Sequence, residues 1–229
     1  MVFKPKKARS KQTARNGIRV KILDVEIGDA VLILVANNNF PGKTVNDMIA
    51  ISKKDPQGLS YGTSGAGSSP HIAGELLKQK TGANLVHIPY KGTGVAVADL
   101  VAGQIHMVFS DMAPAVPFIK ANKLRALAVT SPQRSTTLPD LPTMIELGFP
   151  NFEAANWWSI VTPKGVPNSI IERINQELGK IMTSQEIKDS FEKLGVTPLY
   201  SEPNKVFELS RKESPIIGEI LRKAGVEKE

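Results

Sequence analysis

The chain has 229 residues, no cysteine and a formal net charge of +7 at pH 7. The length suits one large or two small domains, and the composition excludes collagen, coiled coil and a wholly disordered chain. The absence of cysteine excludes disulfides and thiolate metal sites. The three histidines, His71, His87 and His106, form no HxxH or HExxH pair, which argues against a metal site.

The positive charge is concentrated in the first 21 residues, which carry eight basic side chains and no acidic one. The other 208 residues are nearly neutral, with 21 basic and 22 acidic side chains. Residues 1–16 are predicted to be a basic disordered arm. A solvated tail is favoured over nucleic-acid or membrane binding, because no aromatic or RNA-binding motif accompanies the charge. The segment lacks the apolar stretch of a secretory signal, and the apolar run Ala30–Ala36 is too short to span a bilayer.

Predicted strands and helices alternate in the first part of the chain. Strands are indicated by alternating or β-branched apolar runs, and helices by caps followed by 3.6-residue periodicity. The predicted elements are strand Ile18–Ile27, a turn at Gly28-Asp29, strand Ala30–Ala36, helix Thr44–Lys54, strand Leu59–Thr63, helix Ser68–Thr81, strand Asn84–Ile88, helix Val95–Ala102, strand Ile105–Phe109, helix Pro114–Lys120 and strand Leu124–Thr130. This alternation predicts a mainly parallel α/β sheet, in which ligands bind outside the carboxyl ends of strands.

The pattern changes after Ser131, where four prolines fall in an irregular connection. The predicted elements that follow are strand Asn156–Thr162, helix Asn168–Met182, helix Ser184–Leu194, strand Thr197–Tyr200 and helix Pro203–Ala224, with a break at Pro215 as an alternative. The first of these helices is amphipathic, and its predicted inward face consists of Ile170, Ile171, Ile174, Leu178 and Ile181. The strand Asn156–Thr162 is predicted to cross between two lobes.

The segment Tyr61–His71, YGTSGAGSSPH, organises the chain around a Gly/Ser turn between a strand and a helix. Its glycines allow a close approach of backbone to ligand, and a capped helix start favours a phosphate or a carboxylate. The alternative is an ordinary capped helix. The loops at 62–69, 90–94 and 110–113 all follow predicted strands, so we expect them to converge on one cleft.

Two enzyme classes are disfavoured by the same segment. The glycine spacing of GTSGAGSS matches a P-loop, but Ser68 stands where the phosphate-binding lysine belongs. A serine hydrolase elbow, G-x-S-x-G, fails at Ala66, and no histidine follows His106 to complete the order of an α/β-hydrolase.

Several motifs in a fixed order carry a resemblance to a known family. They are YGTSGAGSSPHIAGELLKQKTG, HIPYKGTGVAVADLVAGQIHMVF, LRALAVTS, LPDLPTMIELGFPNFEAANWW and LGVTP. Together they resemble the Bug family, the periplasmic solute-binding receptors of tripartite tricarboxylate transporters. The resemblance runs from about Val31 to Glu229. It implies an α/β, two-lobed, periplasmic-binding-protein-like (Venus flytrap) fold without catalysis or cofactor. It also implies a small carboxylate ligand (a di- or tricarboxylate, an acidic amino acid or an aromatic acid) and membrane permease subunits as partners.

The resemblance also implies which residues bind the ligand. They are Ser64, Gly65, Ser68, Ser69 and His71 in the first loop, Tyr90, Lys91, Gly92 and Thr93 in the second, Ser110 and Asp111 in the third, and Trp157 on the crossing strand. Each has a structural alternative. His71 braces its own helix turn, Lys91 forms a surface ion pair, and Tyr90 and Trp157 pack in the core. Asp111 repels a carboxylate unless it contacts an amino group or water.

The N-terminal part of the chain departs from the family. A signal peptide and the strand and Pro/Gly-rich loop that open the family's first lobe have no counterpart here. The expected domains are the arm 1–16, crossing strands 17–40, a second lobe 41–155 and the C-terminal part of an incomplete first lobe, 156–229. The resemblance places the chain in the periplasm, although it shows no signal peptide. The alternative function is a truncated, non-transporting remnant or an interaction module of the same fold.

Overall fold

The structure, a computed structural model of the chain, describes residues 24–163, 165–201 and 205–226. Within them seven strands form one sheet, accompanied by seven helices. The elements are β1 (Asp24–Asn37), α1 (Val45–Lys54), β2 (Leu59–Thr63), α2 (Ser69–Thr81), β3 (Leu85–Pro89), α3 (Thr93–Val101), β4 (Met107–Asp111), α4 (Met112–Lys120), β5 (Leu124–Val129), β6 (Ala155–Val161), α5 (Asn168–Met182), α6 (Gln185–Leu194), β7 (Val196–Pro198) and α7 (Lys205–Lys223). The predicted arm 1–16 and the predicted strand start at Ile18 lie outside the described residues.

Strand β1 pairs with four of the other six strands of the sheet. Its second half is antiparallel to β4 and β5, and its first half is antiparallel to β6 and β7. The predicted turn at Gly28-Asp29 is therefore wrong, because the strand continues through it with only a register shift against β6 between Glu26 and Gly28. Glycine has a packing role here: a Cβ on Gly28 would lie 2.8 Å from Val196 Cγ1 of β7.

The sheet is mixed, so the prediction of a mainly parallel sheet is wrong. The strand order is β3-β2-β4-β1-β5, with β2 parallel to β3 and to β4. The prediction fails because β1 is inserted between β4 and β5 and runs against both. Sequence periodicity indicates which faces of a strand are buried, but it does not indicate which strands pair with it or in which direction they run. The carboxyl ends of β2, β3 and β4 still lie at one edge of the sheet.

The buried core covers both faces of the sheet around the second half of β1. Leu32 and Leu34 of β1 belong to a cluster with residues of α1 and α2, whereas Ile33 and Val35 belong to a cluster with residues of α3 and α4. This division follows from the two-residue alternation of side chains along a strand. Helix α1 begins at a capping box, in which Thr44 accepts from the backbone of Asp47 and the Asp47 carboxylate accepts from the backbone of Thr44.

The last three helices bury much less of their apolar surface. In α5, Ile171 is buried, but Ile170 and Ile181 are 48% and 47% exposed, so the prediction of an inward position is wrong for these two. Periodicity locates an apolar stripe but does not supply a partner for its full width. Helix α7 continues through Pro215 without the alternative break. None of the described helices combines the length and the apolarity needed to cross a membrane.

Candidate functional site

The three predicted loops lie side by side at the edge where β2, β3 and β4 end. The Tyr90 N–H donates to the carbonyl of Thr63 at 3.0 Å, which joins the second loop to the first. The Thr93 hydroxyl donates to Asp111 Oδ2 at 2.7 Å, which joins the second loop to the third. The structure therefore brings the loops together, as expected from parallel strands that end at one edge.

The first loop depends on two glycines with left-handed backbone. Gly65 and Gly67 have φ values of +130° and +75°, which residues with a Cβ rarely adopt. Ser68 is the N-cap of α2, one of the two positions, Ser68 and Ser69, that the sequence predicts. Its hydroxyl donates to the Gly65 carbonyl at 2.7 Å and accepts from the His71 N–H at 3.4 Å. The hydroxyl of Ser68 is thus already engaged within the loop.

Other polar groups of this loop remain available. Within the part of the chain that the structure describes, the backbone N–H groups of Ser64, Ala66 and Ser69 have no hydrogen-bond acceptor, and neither do the hydroxyls of Ser64 and Ser69. The start of α2 is therefore less open than the sequence suggests, since Pro70 has no N–H and that of His71 is capped. The available donors extend from the strand end to the first residue of the helix.

His71 braces the first loop. Its ring is only 3% exposed, and its Nδ1 accepts the Gly67 N–H at 3.0 Å. The ring stacks on that of His87, with centroids 3.8 Å apart and planes at 11°. His87 Nε2 lies 2.6 Å from Thr63 Oγ1. The two hydrogen bonds made by ring nitrogens of the pair are therefore formed with the loop and with the strand that precedes it.

A buried carboxylate supports the stacked rings from α2. Glu75 Oε1 accepts from the Tyr61 hydroxyl at 2.8 Å and from Lys78 Nζ at 2.9 Å, and it lies 3.9 Å from His71 Nε2. Burial, followed by the hydrogen bond to Glu75, raises the pKa of Tyr61. Helix α2 approaches strand β2 closely here, since a Cβ on Gly74 would lie 2.1 Å from Tyr61 Cε2. This network was not predicted from the sequence, although the four-residue spacing of His71 and Glu75 is a signal for a contact along the helix.

The second loop has one engaged and one exposed side chain. The Tyr90 hydroxyl donates to Asp99 Oδ2 at 2.8 Å, and burial, followed by that hydrogen bond, raises the pKa of Tyr90 to about 12. Lys91 is exposed and forms no ion pair among the described residues. Gly92, with φ +117°, precedes α3 without a side-chain cap. The cation of Lys91 is thus unneutralised beside the loop.

Asp111 connects the three loops to β6. Its Oδ2 accepts from Thr93, and its Oδ1 accepts from Asn156 Nδ2 of β6 at 2.8 Å. Ser110 is fully buried, and its hydroxyl donates to the Asp111 carbonyl. Asp111 therefore serves as an acceptor for protein donors. Asn156 was not predicted from the sequence, in which its only distinguishing signal is its position beside Trp157.

Trp157 lies against a different element. Its Nε1 donates to Glu213 Oε2 of α7 at 3.1 Å, whereas the preceding Asn156 reaches Asp111. Successive side chains on a strand point to opposite faces, which explains the separation. Among the described residues, Trp157 is outside the hydrogen-bond network that joins the three loops.

Comparisons with known proteins agree on one family. The tripartite tricarboxylate transporter family receptor (TctC) profile matches residues 21–226. BugT of Bordetella pertussis is 35% identical over 203 residues, which cover 89% of this chain and 60% of BugT. The chain therefore spans about 60% of the length of that relative.

Solved structures give the same result. The periplasmic binding protein BugD is similar with a TM-score of 0.79 and 30% identity, over 90% of this chain and 69% of BugD. A protein of R. palustris solved with adipate is similar with a TM-score of 0.77 and 27% identity, over 93% of this chain and 72% of its own. The fold is thus periplasmic-binding-protein-like, and BugD is by its name a periplasmic binding protein.

Proposed function

Because the chain belongs to the tripartite tricarboxylate transporter receptor (TctC/Bug) family, we propose that it is a solute-binding protein that captures a small carboxylate. The observation that carries the proposal is the set of unpaired donors in the first loop, which comprises the N–H groups of Ser64, Ala66 and Ser69 and the hydroxyls of Ser64 and Ser69. A carboxylate is an acceptor-only group that can occupy several such donors at once. The family's members are periplasmic receptors, and the proposed location of this chain is the periplasm.

The electrostatics of the loop favour an anion over a neutral ligand. The donors extend to the first residue of α2, where the positive end of the helix dipole lies. Lys91 adds a cation that has no described ion-pair partner. Asp111 is the opposing charge, but both of its oxygens accept from protein donors. Its role is to hold the second loop and β6 in place rather than to contact the ligand.

The proposed ligand class is a di- or tricarboxylate, with acidic amino acids and aromatic acids as further members. The similar protein of R. palustris was solved with adipate, which supports a dicarboxylate. In this proposal residues 41–155 form one lobe and residues 156–229 contribute to the other. The first loop holds one carboxylate end of the ligand, and the permease subunits of the transporter receive the ligand from the closed protein.

The experiment compares Ser64 and Ser69, whose hydroxyls are unpaired among the described residues, with Ser68, whose hydroxyl caps α2. Adipate should raise the melting temperature of the wild type saturably, because a ligand that binds only the folded state stabilises it by mass action. Ser64→Ala with Ser69→Ala should reduce this shift, because the two hydroxyls are lost and the three backbone N–H groups remain, and it should have little effect on the ligand-free protein, since both hydroxyls are unpaired. Ser68→Ala should lower ligand-free stability by about 1 kcal/mol through loss of the N-cap.

Neutral adipamide and a panel of other carboxylates are the controls. A full shift in the double serine variant would mean that the two hydroxyls do not contact the ligand. A cooperative melt that no carboxylate shifts would contradict the receptor function. That result would favour the second candidate, an interaction module of the same fold, for which the exposed Ile170 and Ile181 of α5 are the supporting observation.

A further inference from the structure

The Ser68 N–H donates to the Gly65 carbonyl at 3.3 Å, and the other N–H groups of residues 64–69 fall into two sets. Those of Gly65 and Gly67, the held amides, donate to side chains: Gly65 to Thr63 Oγ1 at 3.1 Å and Gly67 to His71 Nδ1 at 3.0 Å. Those of Ser64, Ala66 and Ser69, the free amides, have no acceptor among the described residues. Held and free amides alternate from residue 64 to residue 67. The acceptors that bind the held amides therefore determine the orientation of the free amides.

The acceptors of the held amides are His71 Nδ1 and Thr63 Oγ1, and each belongs to or contacts one of the stacked imidazoles. His71 binds its held amide directly. His87 acts through Thr63, whose fully buried Oγ1 lies 2.6 Å from His87 Nε2 and accepts the other held amide. The rings are in contact at 3.8 Å between centroids, so one ring cannot move without the other. The pair is a continuous support beneath the loop, formed by α2 and β3.

We infer that His71 and His87 are positioning residues, whose neutral rings fix the held amides and thereby orient the free amides for the ligand carboxylate. The inference rests on the proposed function, because it assigns a purpose to the same loop. It extends that function with two residues that act without touching the ligand, and with a dependence of binding on their protonation.

The chemistry of the hydrogen bond requires a neutral ring at His71. An imidazole accepts an N–H only through a nitrogen that carries no proton, so the proton of His71 resides on Nε2, 3.9 Å from Glu75 Oε1. Protonation of Nδ1 would set a donor against the donor N–H of Gly67. Loss of this bond would release a held amide and with it the alignment of the free amides.

The surroundings keep the pair neutral at ordinary pH. Burial lowers the pKa of His71, and burial together with the charge of His71 lowers the pKa of His87 to about 4. The charged and titratable groups that face the rings are Glu75 and Lys78 of α2 and Tyr61 of β2. Glu75 favours protonation and Lys78 opposes it. Carboxylate affinity should therefore fall as the pH drops into the range where the rings acquire a proton.

The test uses variants that separate hydrogen bonding from titration. His71→Asn keeps an acceptor oxygen near the position of Nδ1 but does not titrate, whereas His71→Leu keeps bulk and loses the acceptor. His87→Gln keeps a polar group near Thr63. His106→Asn is the matched control, because His106 Nδ1 also accepts a backbone N–H, that of Ser60 at 3.0 Å, but at the other end of β2.

Adipate binding is measured by calorimetry at about pH 7.5, where both rings are neutral, and at about pH 4, where the lowered pKa of His87 lies. We expect His71→Leu to lower affinity at least about tenfold, His71→Asn to recover most of it, and His106→Asn to have no effect. The affinity ratio of wild type to the His71→Asn/His87→Gln double variant should fall at the lower pH; this ratio cancels the titration of adipate itself. Equal affinities of His71→Leu and wild type, or a ratio independent of pH, would overturn the inference.

A ligand-free measurement separates this inference from the proposed function. In wild type the Gly67 amide resonance should titrate together with the histidine rings, and its exchange should accelerate at least about tenfold in His71→Leu but not in His71→Asn. An unchanged Gly67 amide would refute the support of the loop by histidine even if adipate binds. If no carboxylate binds the wild type, the proposed function fails, and the amide measurement alone decides whether the histidines hold the loop.

Discussion

Two regions share strand β1 but differ in how completely they are packed. The packed region consists of the second half of β1, β2–β5 and α1–α4, and helices cover both faces of its sheet. The open region consists of the first half of β1, β6, β7 and α5–α7. There α6 has no buried residue, and Ile170, Ile181 and Ile216 are about half exposed. The candidate site lies at the edge of the packed region.

This difference shows where the rigidity of the site originates. The first loop is supported by residues whose neighbours fill both faces of the sheet, and a close-packed interior permits little displacement. The open region contributes to the site network through Asn156, which bonds to Asp111. We therefore expect folding free energy and loop geometry to depend mainly on the packed region, and the orientation of β6 to depend on this link.

The largest effect should come from matched leucine truncations in the two regions. Leu77→Ala in α2 removes a side chain that is 1% exposed and should cost about 2–5 kcal/mol through lost burial and a residual cavity. Leu194→Ala in α6 removes one that is 46% exposed and should cost about 0.5 kcal/mol or less. Urea unfolding followed by circular dichroism measures both. Comparable losses would show that the open region is packed as tightly as the other.

A smaller effect should follow from cutting the link between the regions. Asp111→Ala leaves the Thr93 hydroxyl and the Asn156 amide without their acceptor and should cost about 1–3 kcal/mol. Both tryptophans lie on β6 of the open region, so their fluorescence should change at lower urea than the circular dichroism signal in this variant.

The exposed Asp140→Ala is the control for the loss of a surface carboxylate, with an expected change within about 0.5 kcal/mol. A double-mutant cycle with Asn156→Ala isolates the pair. Coincident transitions and a coupling energy near zero would mean that Asp111 does not connect the regions.

The smallest effect should be local and should have opposite pH dependence in the two regions. In the open region, burial followed by the charge of Asp29 raises the pKa of Glu26 from 4.5 to about 7, within reach of Lys205 and Glu213 of α7. The raised pKa means that the folded state holds the proton more tightly. Its stabilisation is complete below about pH 4.5 and is lost as the pH rises through about 7.

In the packed region, the lowered pKa of His87 gives the opposite sign. Its stabilisation is present above about pH 6.5 and is lost as the pH falls toward about 4. Amide exchange in β6 should therefore slow on acidification relative to Glu26→Gln, and exchange in β2 should accelerate relative to His87→Gln. Comparison with each variant at the same pH cancels intrinsic exchange rates. The same sign in both strands would refute the assignment.

Local sequence signals predicted most elements closely. Helix α5 has the predicted bounds Asn168–Met182, and β2 has the predicted bounds Leu59–Thr63. The Thr44 cap was likewise predicted from the residue type, and the cap of α2, found at Ser68, was predicted at Ser68 or Ser69. The sequence also predicted that the loops after β2, β3 and β4 would meet. The ligand-binding roles of the residues in those loops remain predictions.

The wrong predictions concern features that depend on which residues pack nearby in the folded structure. Gly28-Asp29 has the composition of a turn, yet β1 continues through it because β6 and β7 pair with it on either side. Ile170 and Ile181 have helical spacing, yet their exposure depends on what else packs there. The stacking of His71 on His87, a residue 16 positions away in the sequence, was not predicted, and the role of His71 as a ligand contact remains a prediction.

Most helices and strands, their caps and the membership of the family can be predicted from the sequence, because these depend on contacts within a few residues or on an ordered set of motifs. The three-dimensional arrangement was needed to show that β1 separates β4 from β5, that His71 stacks on His87 and that Asp111 holds Asn156. Each of these contacts joins residues from different elements, and their geometry follows from strand order and packing, which local propensity does not encode.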